Sequence, residues 1–216
     1  MLYAGGASCA SIIIDPGHSP KTPGAISCDG IPEYRFNNTL AMTIAKHLAG
    51  NGFSVQLTKP IDGEMPLAER VVSSNGHGLL LSIHHDSVQP QFISKVQGRK
   101  GACSNKASGF SIFLSRHNSR YEESLDYARR LGSALIARGL RPTLHHAEPI
   151  AGENRKLLVP ELGIYLFDEL TVLKKTKVPA LLFEAAVIVN PADEARAVEP
   201  AYQTLIAEAV AAMMKQ

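Results

Sequence analysis

The chain has 216 residues, of which 45% are hydrophobic and 19% are charged, and its formal net charge is +2. This composition is typical of a globular protein with one sizeable core. The small charge argues against nucleic acid as a partner, because phosphate binding needs a concentrated basic face. We also expect no membrane span and no intact signal peptide, since the apolar stretches are far shorter than ~18 residues and residues 1–10 lack a basic region followed by an apolar one.

The order of predicted elements indicates an α/β fold. Short apolar runs bounded by turn residues predict buried strands over residues 11–14, 53–58, 79–84, 110–114, 163–167 and 178–184. Apolar residues at helical spacing predict helices over residues 36–48, 67–75, 119–138 and 190–214. This alternation predicts a single domain over residues 1–216, with residues 1–10 as an N-terminal extension. Its sheet should be twisted, mixed but mostly parallel, with about six strands flanked by helices.

Two helix starts carry specific capping signals. Ser119 with Glu122 matches a capping box, in which the two side chains satisfy free backbone amides at the start of a helix. Asn190 before Pro191 matches an amide cap followed by proline at the first helical position. We therefore expect the third and fourth helices to begin at these two sites.

Two connections are long enough to suggest a function. They cover residues 87–108 and 141–160, and loops of this length in a compact domain usually bind something or move. Both flank the same predicted edge of the sheet, so we expect them to line a substrate groove.

Three cysteines, Cys9, Cys28 and Cys103, lack the Cys-x-x-Cys spacing of a zinc site. Cys28 and Cys103 lie in predicted loops and could form a disulfide if the protein is exported. Three free thiols are equally consistent with the sequence.

Three predicted strands end at a potential metal ligand or base: His18, His84 and Glu184. If these strands are parallel neighbours, the three side chains meet at the carboxyl edge, where open α/β sheets hold their sites. Glu33, at the start of the first helix, can supply a third ligand beside the two histidines. Zinc prefers nitrogen and carboxylate donors, and a catalytic zinc keeps one position open for water. Glu184 would then remain free as a general base and acid.

These residues lie in four blocks that resemble the zinc-dependent N-acetylmuramoyl-L-alanine amidases (amidase type 3), which cut bacterial peptidoglycan. In chain order the blocks are Asp15-Pro16-Gly17-His18, Pro23-Gly24-Ala25 with Gly30 and Glu33, Ser82-Ile83-His84, and residues 172–190 around Glu184. The resemblance covers most of the chain, from Ile12 to about Asn190. Two departures, His85 after the second histidine and Ala186-Val187 in place of Gly-Phe, alter the pocket floor and therefore bear on substrate preference.

The resemblance implies a phosphorylase/hydrolase-like fold and a specific reaction. The scissile bond would be the amide between the lactyl group of N-acetylmuramic acid and L-alanine of the stem peptide. His18, Glu33 and His84 would hold one Zn²⁺ with a bound water or hydroxide. Glu184 would take the water proton and pass it to the leaving amine. The resemblance also implies an exported monomer, periplasmic or at the cell wall, with peptidoglycan as substrate and a regulatory activator protein as a possible partner.

Two other functions remain open at this stage. The chain could be a zinc amidohydrolase acting on another peptide-like amide, or a catalytically silent module that binds or regulates the cell wall. Single residues also have simpler interpretations: Glu33 could stabilise a helix start, Glu184 could form a structural ion pair, and Asp15 could either orient a ligand or cap a turn.

Other histidines are expected to be less direct participants. His85 should point to the sheet face opposite His84, where it packs or supports a ligand. The adjacent pair His145 and His146 lies in an irregular stretch, so we expect solvent exposure or substrate contact rather than a metal site. The nearby segment 153–155 is expected to be a surface loop.

Overall fold

A computed structural model describes residues 11–215, which form a seven-stranded sheet with helices on both faces. The strands are β1 (Ser11–Pro16), β2 (Ser54–Leu57), β3 (Leu79–Asp86), β4 (Ser94–Lys95), β5 (Ala102–Cys103), β6 (Ser111–Leu114), β7 (Leu157–Val159), β8 (Ile164–Leu166) and β9 (Ala180–Val187). The helices are α1 (Glu33–Gly50), α2 (Leu67–Ser73), α3 (Tyr121–Ala137), α4 (Thr171–Lys175), α5 (Pro191–Ala197) and α6 (Pro200–Met214). No helix within residues 11–215 has both the length and the apolar character needed to cross a bilayer.

The strand order in the main sheet is β2-β1-β3-β9-β6-β8-β7. The first four strands in this order are mutually parallel, β6 runs antiparallel to β9, and β7 runs antiparallel to β8. Strands β4 and β5 form a separate antiparallel pair. The predicted mixed, mostly parallel α/β sheet is therefore confirmed. The additional strands β4, β5 and β7 all lie inside the two connections that were expected to be loops.

The central strands are apolar on both faces because both faces are covered. Successive side chains of a strand point to opposite sides of a sheet. Ile12 and Ile14 of β1 accordingly join the large core formed with α1, α3 and α6, whereas Ile13 joins a smaller core that includes Leu173 of α4. Continuous rather than alternating hydrophobic runs are what a doubly covered parallel sheet requires.

The predicted capping box at Ser119 is wrong. Helix α3 begins at Tyr121 after Arg120, and no side chain caps it. Asn118 organises this turn instead: its Oδ1 accepts a hydrogen bond from the Arg120 amide at 2.7 Å, and its Nδ2 donates to the Leu173 and Val178 carbonyls. Backbone carbonyls distant in sequence thus hold Asn118 and the turn before this helix.

The predicted cap at Asn190 is confirmed, but the helix that follows is not continuous. Asn190 Oδ1 accepts hydrogen bonds from the amides of Ala192 and Asp193. The chain then leaves the helical path after Ala197 and starts α6 at Pro200. Proline lacks an amide hydrogen and clashes with the preceding turn, so it starts a new helix more readily than it continues an old one.

A disulfide joins Cys28 and Cys103, so free thiols at these two positions are ruled out, and Cys9 lies outside the described residues. The bond ties the loop after β1 to β5. The bonded segments also contact the residues that follow β9, since the Cys28 amide donates to the Ile188 carbonyl and the amide of Ser104, next to Cys103, donates to the Val189 carbonyl. The disulfide therefore fixes two loops to the edge of the sheet where β1, β3 and β9 end.

Replacing Cys28 and Cys103 together by alanine should lower the free energy of unfolding by about 4 kcal/mol, because the bond closes a loop with a sequence separation of 75. Urea denaturation of the variant and the oxidised wild type measures this difference. Reduced wild type should behave like the double variant. A difference below about 1 kcal/mol in both comparisons would contradict a stabilising role.

Candidate metal centre

The sheet topology brings three chain segments to one edge. Strands β1 and β3 pair in parallel, and the Gly17 amide extends this pairing by donating to the Ile83 carbonyl at 2.9 Å. Strands β3 and β9 also pair in parallel, with His84 directly opposite Glu184. His18 follows β1, and Glu33 opens α1. The predicted meeting of these residues at one carboxyl edge is therefore observed.

Glu33 lies between the two histidines. Its Oε2 is 3.1 Å from His18 Nε2, and its Oε1 is 3.0 Å from His84 Nδ1. The potential ligand atoms of the three residues all lie within 4.8 Å of one another, so this group could hold a metal ion. We call it the His18–Glu33–His84 cluster.

The Glu33 carboxylate is buried and heavily hydrogen-bonded. Oε2 accepts from the Ala25 amide at 3.0 Å, while Oε1 accepts from Asn37 Nδ2 at 3.0 Å and from the His85 amide at 3.3 Å. Burial favours the neutral acid, but hydrogen bonds with His18 and His84 outweigh it and hold the pKa of the Glu33 carboxyl well below its ordinary value. Glu33 is thus kept ionised, as a metal ligand must be.

His85 supports this arrangement from behind. Its ring Nδ1 is 2.8 Å from Asn37 Oδ1, on the residue whose amide nitrogen holds Glu33, and the His85 side chain is buried. Burial lowers the pKa of His85 to about 4, so its ring is neutral near pH 7. His85 is thus buried and linked through Asn37 to Glu33, in line with the expected packing role.

Close backbone approach shapes the cluster. A side chain at Gly17 would overlap the His84 ring, and one at Gly24 would overlap the Glu33 carboxylate. His18 itself adopts a left-handed backbone conformation, with φ of 61°. Such conformations cost about 1–3 kcal/mol for residues other than glycine and concentrate at functional sites. The loop after β1 is therefore formed around the side chains of His84 and Glu33.

Asp15 has a different role from both roles expected of it. Its carboxylate pairs with Arg70 at 3.2 Å and accepts hydrogen bonds from Thr58 at 2.7 Å and Ser82 at 2.9 Å. It neither orients His18 or His84 through a direct bond nor caps the turn. Arg70 in turn donates to the Pro16 carbonyl at 3.3 Å. This buried ion pair fixes the end of β1 just before the cluster.

Glu184 lines an adjoining cleft. Its Oε2 is buried and has no hydrogen-bond partner among the described residues. Burial raises the pKa of the Glu184 carboxyl well above its ordinary value, and the nearby Asp86 and Glu33 carboxylates raise it further. A structural ion pair does not account for this residue, because its charged neighbours are acidic.

Two cavities adjoin these residues and share part of their lining. One, of about 210 Å³, is lined by His18 and His84, and the other, of about 260 Å³, is lined by Glu184. Leu170 and Leu182 line both cavities, so the two sites open on either side of the same apolar wall. Residues from both long connections line the second cavity, including Gln89 and Glu153. This agrees with the expectation that those connections flank a groove.

Comparison with known proteins decides the family. The family model described as N-acetylmuramoyl-L-alanine amidase matches residues 12–216. The chain belongs to this amidase family. Among curated proteins, it is 27% identical to the N-acetylmuramoyl-L-alanine amidase AmiA of Escherichia coli (strain K12) over 214 residues, covering 93% of this chain and 73% of that protein.

Solved structures confirm the amidase fold. The N-acetylmuramoyl-L-alanine amidase from Clostridium difficile 630 superposes with a TM-score of 0.74 at 20% identity, covering 95% of this chain and 94% of that one. The CwlD amidase from Clostridioides difficile, solved in complex with the GerS lipoprotein, gives a TM-score of 0.70 at 17% identity, covering 95% and 96%. The family model thus confirms the predicted amidase resemblance, and the solved structures confirm the predicted fold class.

A second group of possible ligands was missed by the sequence analysis. His145 and His146 are buried rather than exposed, and together with Asp86 they form another set of ligand atoms that lie within 4.8 Å of one another. Glu153, expected on a surface loop, has a side chain only 4% exposed because it bonds His146. Long-range packing brings residues 86 and 145–146 together, and no local sequence signal could have shown this.

Proposed function

We propose that this chain hydrolyses the amide between the lactyl group of N-acetylmuramic acid and L-alanine of the peptidoglycan stem peptide. Membership of the amidase family supports the reaction class. The single structural observation that carries the proposal is the juxtaposition of the His18–Glu33–His84 cluster with Glu184 across the β3–β9 pair. A hydrolase that activates water needs such a set: an electrophilic site and a separate proton carrier.

We further propose that the cluster binds one Zn²⁺ through His18, Glu33 and His84. Two imidazoles and one carboxylate are a donor set that catalytic zinc sites use. Two further observations fit an ion at the cluster. Gly17 and Gly24 have no side chains that would overlap His84 and Glu33, and the Glu33 carboxyl is already ionised. Bound there, zinc would lower the pKa of a coordinated water and polarise the scissile carbonyl.

Glu184 is proposed as the general base and acid. Its carboxylate accepts a proton from the attacking water, the water oxygen adds to the carbonyl carbon, and the proton is then delivered to the leaving nitrogen as the C–N bond breaks. The products are a lactyl carboxylate and a stem peptide with a free L-alanine amine. The buried oxygen of Glu184 has no competing hydrogen bond among the described residues, which leaves it available for this transfer.

Purified sacculi and a soluble muramyl peptide test the proposal directly. Mass spectrometry of the products should show stem peptides with a free L-alanine amino terminus and glycan strands that retain the lactyl group. Dialysis against a chelator should abolish release, and added Zn²⁺ should restore it. Release of peptides cut at another amide would favour a different amidohydrolase. Firm binding to sacculi without any release would favour a silent wall-binding module.

Export of the protein is part of the proposal. The disulfide between Cys28 and Cys103 supports an oxidising compartment, because cytosolic thiols are normally kept reduced. A cell-wall substrate requires the same location. A regulatory activator remains a prediction: CwlD was solved with the GerS lipoprotein, and that likeness to this chain, at 17% identity, concerns the fold alone. The monomeric state is likewise a prediction.

A further inference from the structure

A buried polar cluster lies beside Glu184 but outside the groups used above. Its members are Asp86 at the end of β3 and the adjacent histidines His145 and His146 from the second long connection. All three residues are less than a tenth exposed. Asp86 and His146 line the same cleft as Glu184.

The three potential ligand atoms converge. Asp86 Oδ2 is 2.7 Å from His146 Nε2 and 3.6 Å from His145 Nε2, and the two imidazole rings have centroids 3.9 Å apart. A hydrogen bond between Asp86 and a histidine accounts for His146 alone and leaves the position of His145 unexplained. The His145 ring lies just beyond hydrogen-bonding distance of Asp86 Oδ2. This spacing is expected when several metal-ligating atoms surround one shared point.

Each ligand is oriented by a partner on its other atom. His146 Nδ1 is 2.8 Å from Glu153 Oε2, and His145 Nδ1 is 2.8 Å from Thr143 Oγ1. Asp86 Oδ1 accepts the Ser87 amide at 2.7 Å. Metal-binding histidines characteristically donate their second nitrogen to a carboxylate or another acceptor, which fixes the ring and its tautomer. Here this pattern leaves both Nε2 atoms and Asp86 Oδ2 facing one another.

An unsatisfied atom points into this convergence. His145 Nε2 is buried and has no hydrogen-bond partner among residues 11–215. Leaving a buried polar atom unpaired is unfavourable, and native proteins rarely do so without a reason such as an ion. A cation held between His145, His146 and Asp86 would satisfy it.

We propose that Asp86, His145 and His146 form a second divalent-cation site, with a donor set suited to Zn²⁺ and distinct from the His18–Glu33–His84 cluster. Two imidazoles and a carboxylate are the donors that zinc prefers. Glu153 is a positioning residue for His146, and its second oxygen accepts a hydrogen bond from Gln89 at 2.9 Å, which links the two long connections behind the site. The inference depends on these contacts and not on the reaction proposed above.

Zinc stoichiometry tests the site without any activity measurement. The full chain carrying Cys9→Ser, so that its thiol cannot bind metal, is stripped with chelator and titrated with Zn²⁺ by equilibrium dialysis and elemental analysis. We expect about two equivalents per chain, falling to about one in His145→Gln, in Asp86→Asn and, separately, in His18→Ala. His117→Ala, which removes an exposed histidine, is the matched control and should keep about two.

Each result decides between the two clusters. A parent protein that binds one equivalent, lost in His18→Ala and kept in His145→Gln, would overturn the second site. Two equivalents that persist in His145→Gln and Asp86→Asn would overturn it as well. Loss in those variants with no change in His18→Ala would support the second site and count against the proposed catalytic metal. If a variant fails to fold by circular dichroism, X-ray anomalous scattering from zinc-loaded parent crystals must show an ion between Asp86 and His145, or the proposal fails.

Discussion

Glu184→Gln is expected to lower kcat for muramyl-peptide hydrolysis by about 10³-fold while KM and zinc content stay at wild-type values. The amide keeps the shape of the side chain but cannot accept a proton from water. Because Glu184 lies opposite His84 on the neighbouring strand and is not part of the His18–Glu33–His84 cluster, its loss should not release metal. Steady-state kinetics with elemental analysis of the same samples measures both quantities.

The control for this variant is Glu122→Gln, which removes an exposed carboxylate on α3 and should keep full activity. Comparing the two separates a loss of catalysis from a general change in charge. A Glu184→Gln protein with more than a tenth of wild-type kcat would exclude Glu184 as the essential proton carrier. A loss of rate in proportion to a loss of zinc would instead make Glu184 a ligand.

The cluster of His18, Glu33 and His84 was predictable because each residue follows or precedes a segment with a clear local signal. Buried parallel strands read as short apolar runs, and their carboxyl ends share one edge by topology. Two strand ends and one helix start therefore predicted that the three side chains lie together. The position of Glu184 at the end of a third strand marked it as the candidate proton carrier, and the family resemblance implied the same role.

The second cluster was not predictable, for a physical reason. Asp86 lies beyond the expected end of β3, and residues 141–160 have turn residues and too little periodicity to predict their fold. Thr143 and Glu153 bond these histidines from the same connection, but the contacts of His146 with Phe113 and Asp86 join distant parts of the chain. Adjacent histidines are poor chelators when considered alone, and only the tertiary fold shows that Asp86 completes the set.

Helix ends show the same division between local and long-range control. The cap at Asn190 was predicted correctly because its bonds are local. The Asn190 side chain accepts hydrogen bonds from the amides of Ala192 and Asp193, only two and three residues further along the chain. The cap at Ser119 was wrong because Asn118 is held by the carbonyls of Leu173 and Val178, more than fifty residues away along the sequence. Local chemistry identified the helix start at Asn190, whereas the turn before α3 is held by bonds to distant carbonyls.

Glu33→Gln is expected to weaken zinc binding at the His18–Glu33–His84 cluster by at least about 100-fold. Loss of a residue that only hydrogen-bonds a ligand lowers metal affinity by about 100-fold at most. The substitution removes the single negative charge of the cluster and places an amide nitrogen or a neutral oxygen between two imidazoles. Competition with a chromophoric chelator, in a His145→Gln background that removes the second proposed site, measures this affinity alone.

Asn37→Ala should have a smaller effect, about 10-fold to 100-fold, because it deletes a hydrogen bond to Glu33 and not a ligand. Glu122→Gln should leave the affinity unchanged. This order of effects is specific to a ligand role: if Glu33 only stabilised the start of α1, Glu33→Gln would lower the thermal stability of the protein and leave its zinc affinity within a few-fold of the parent.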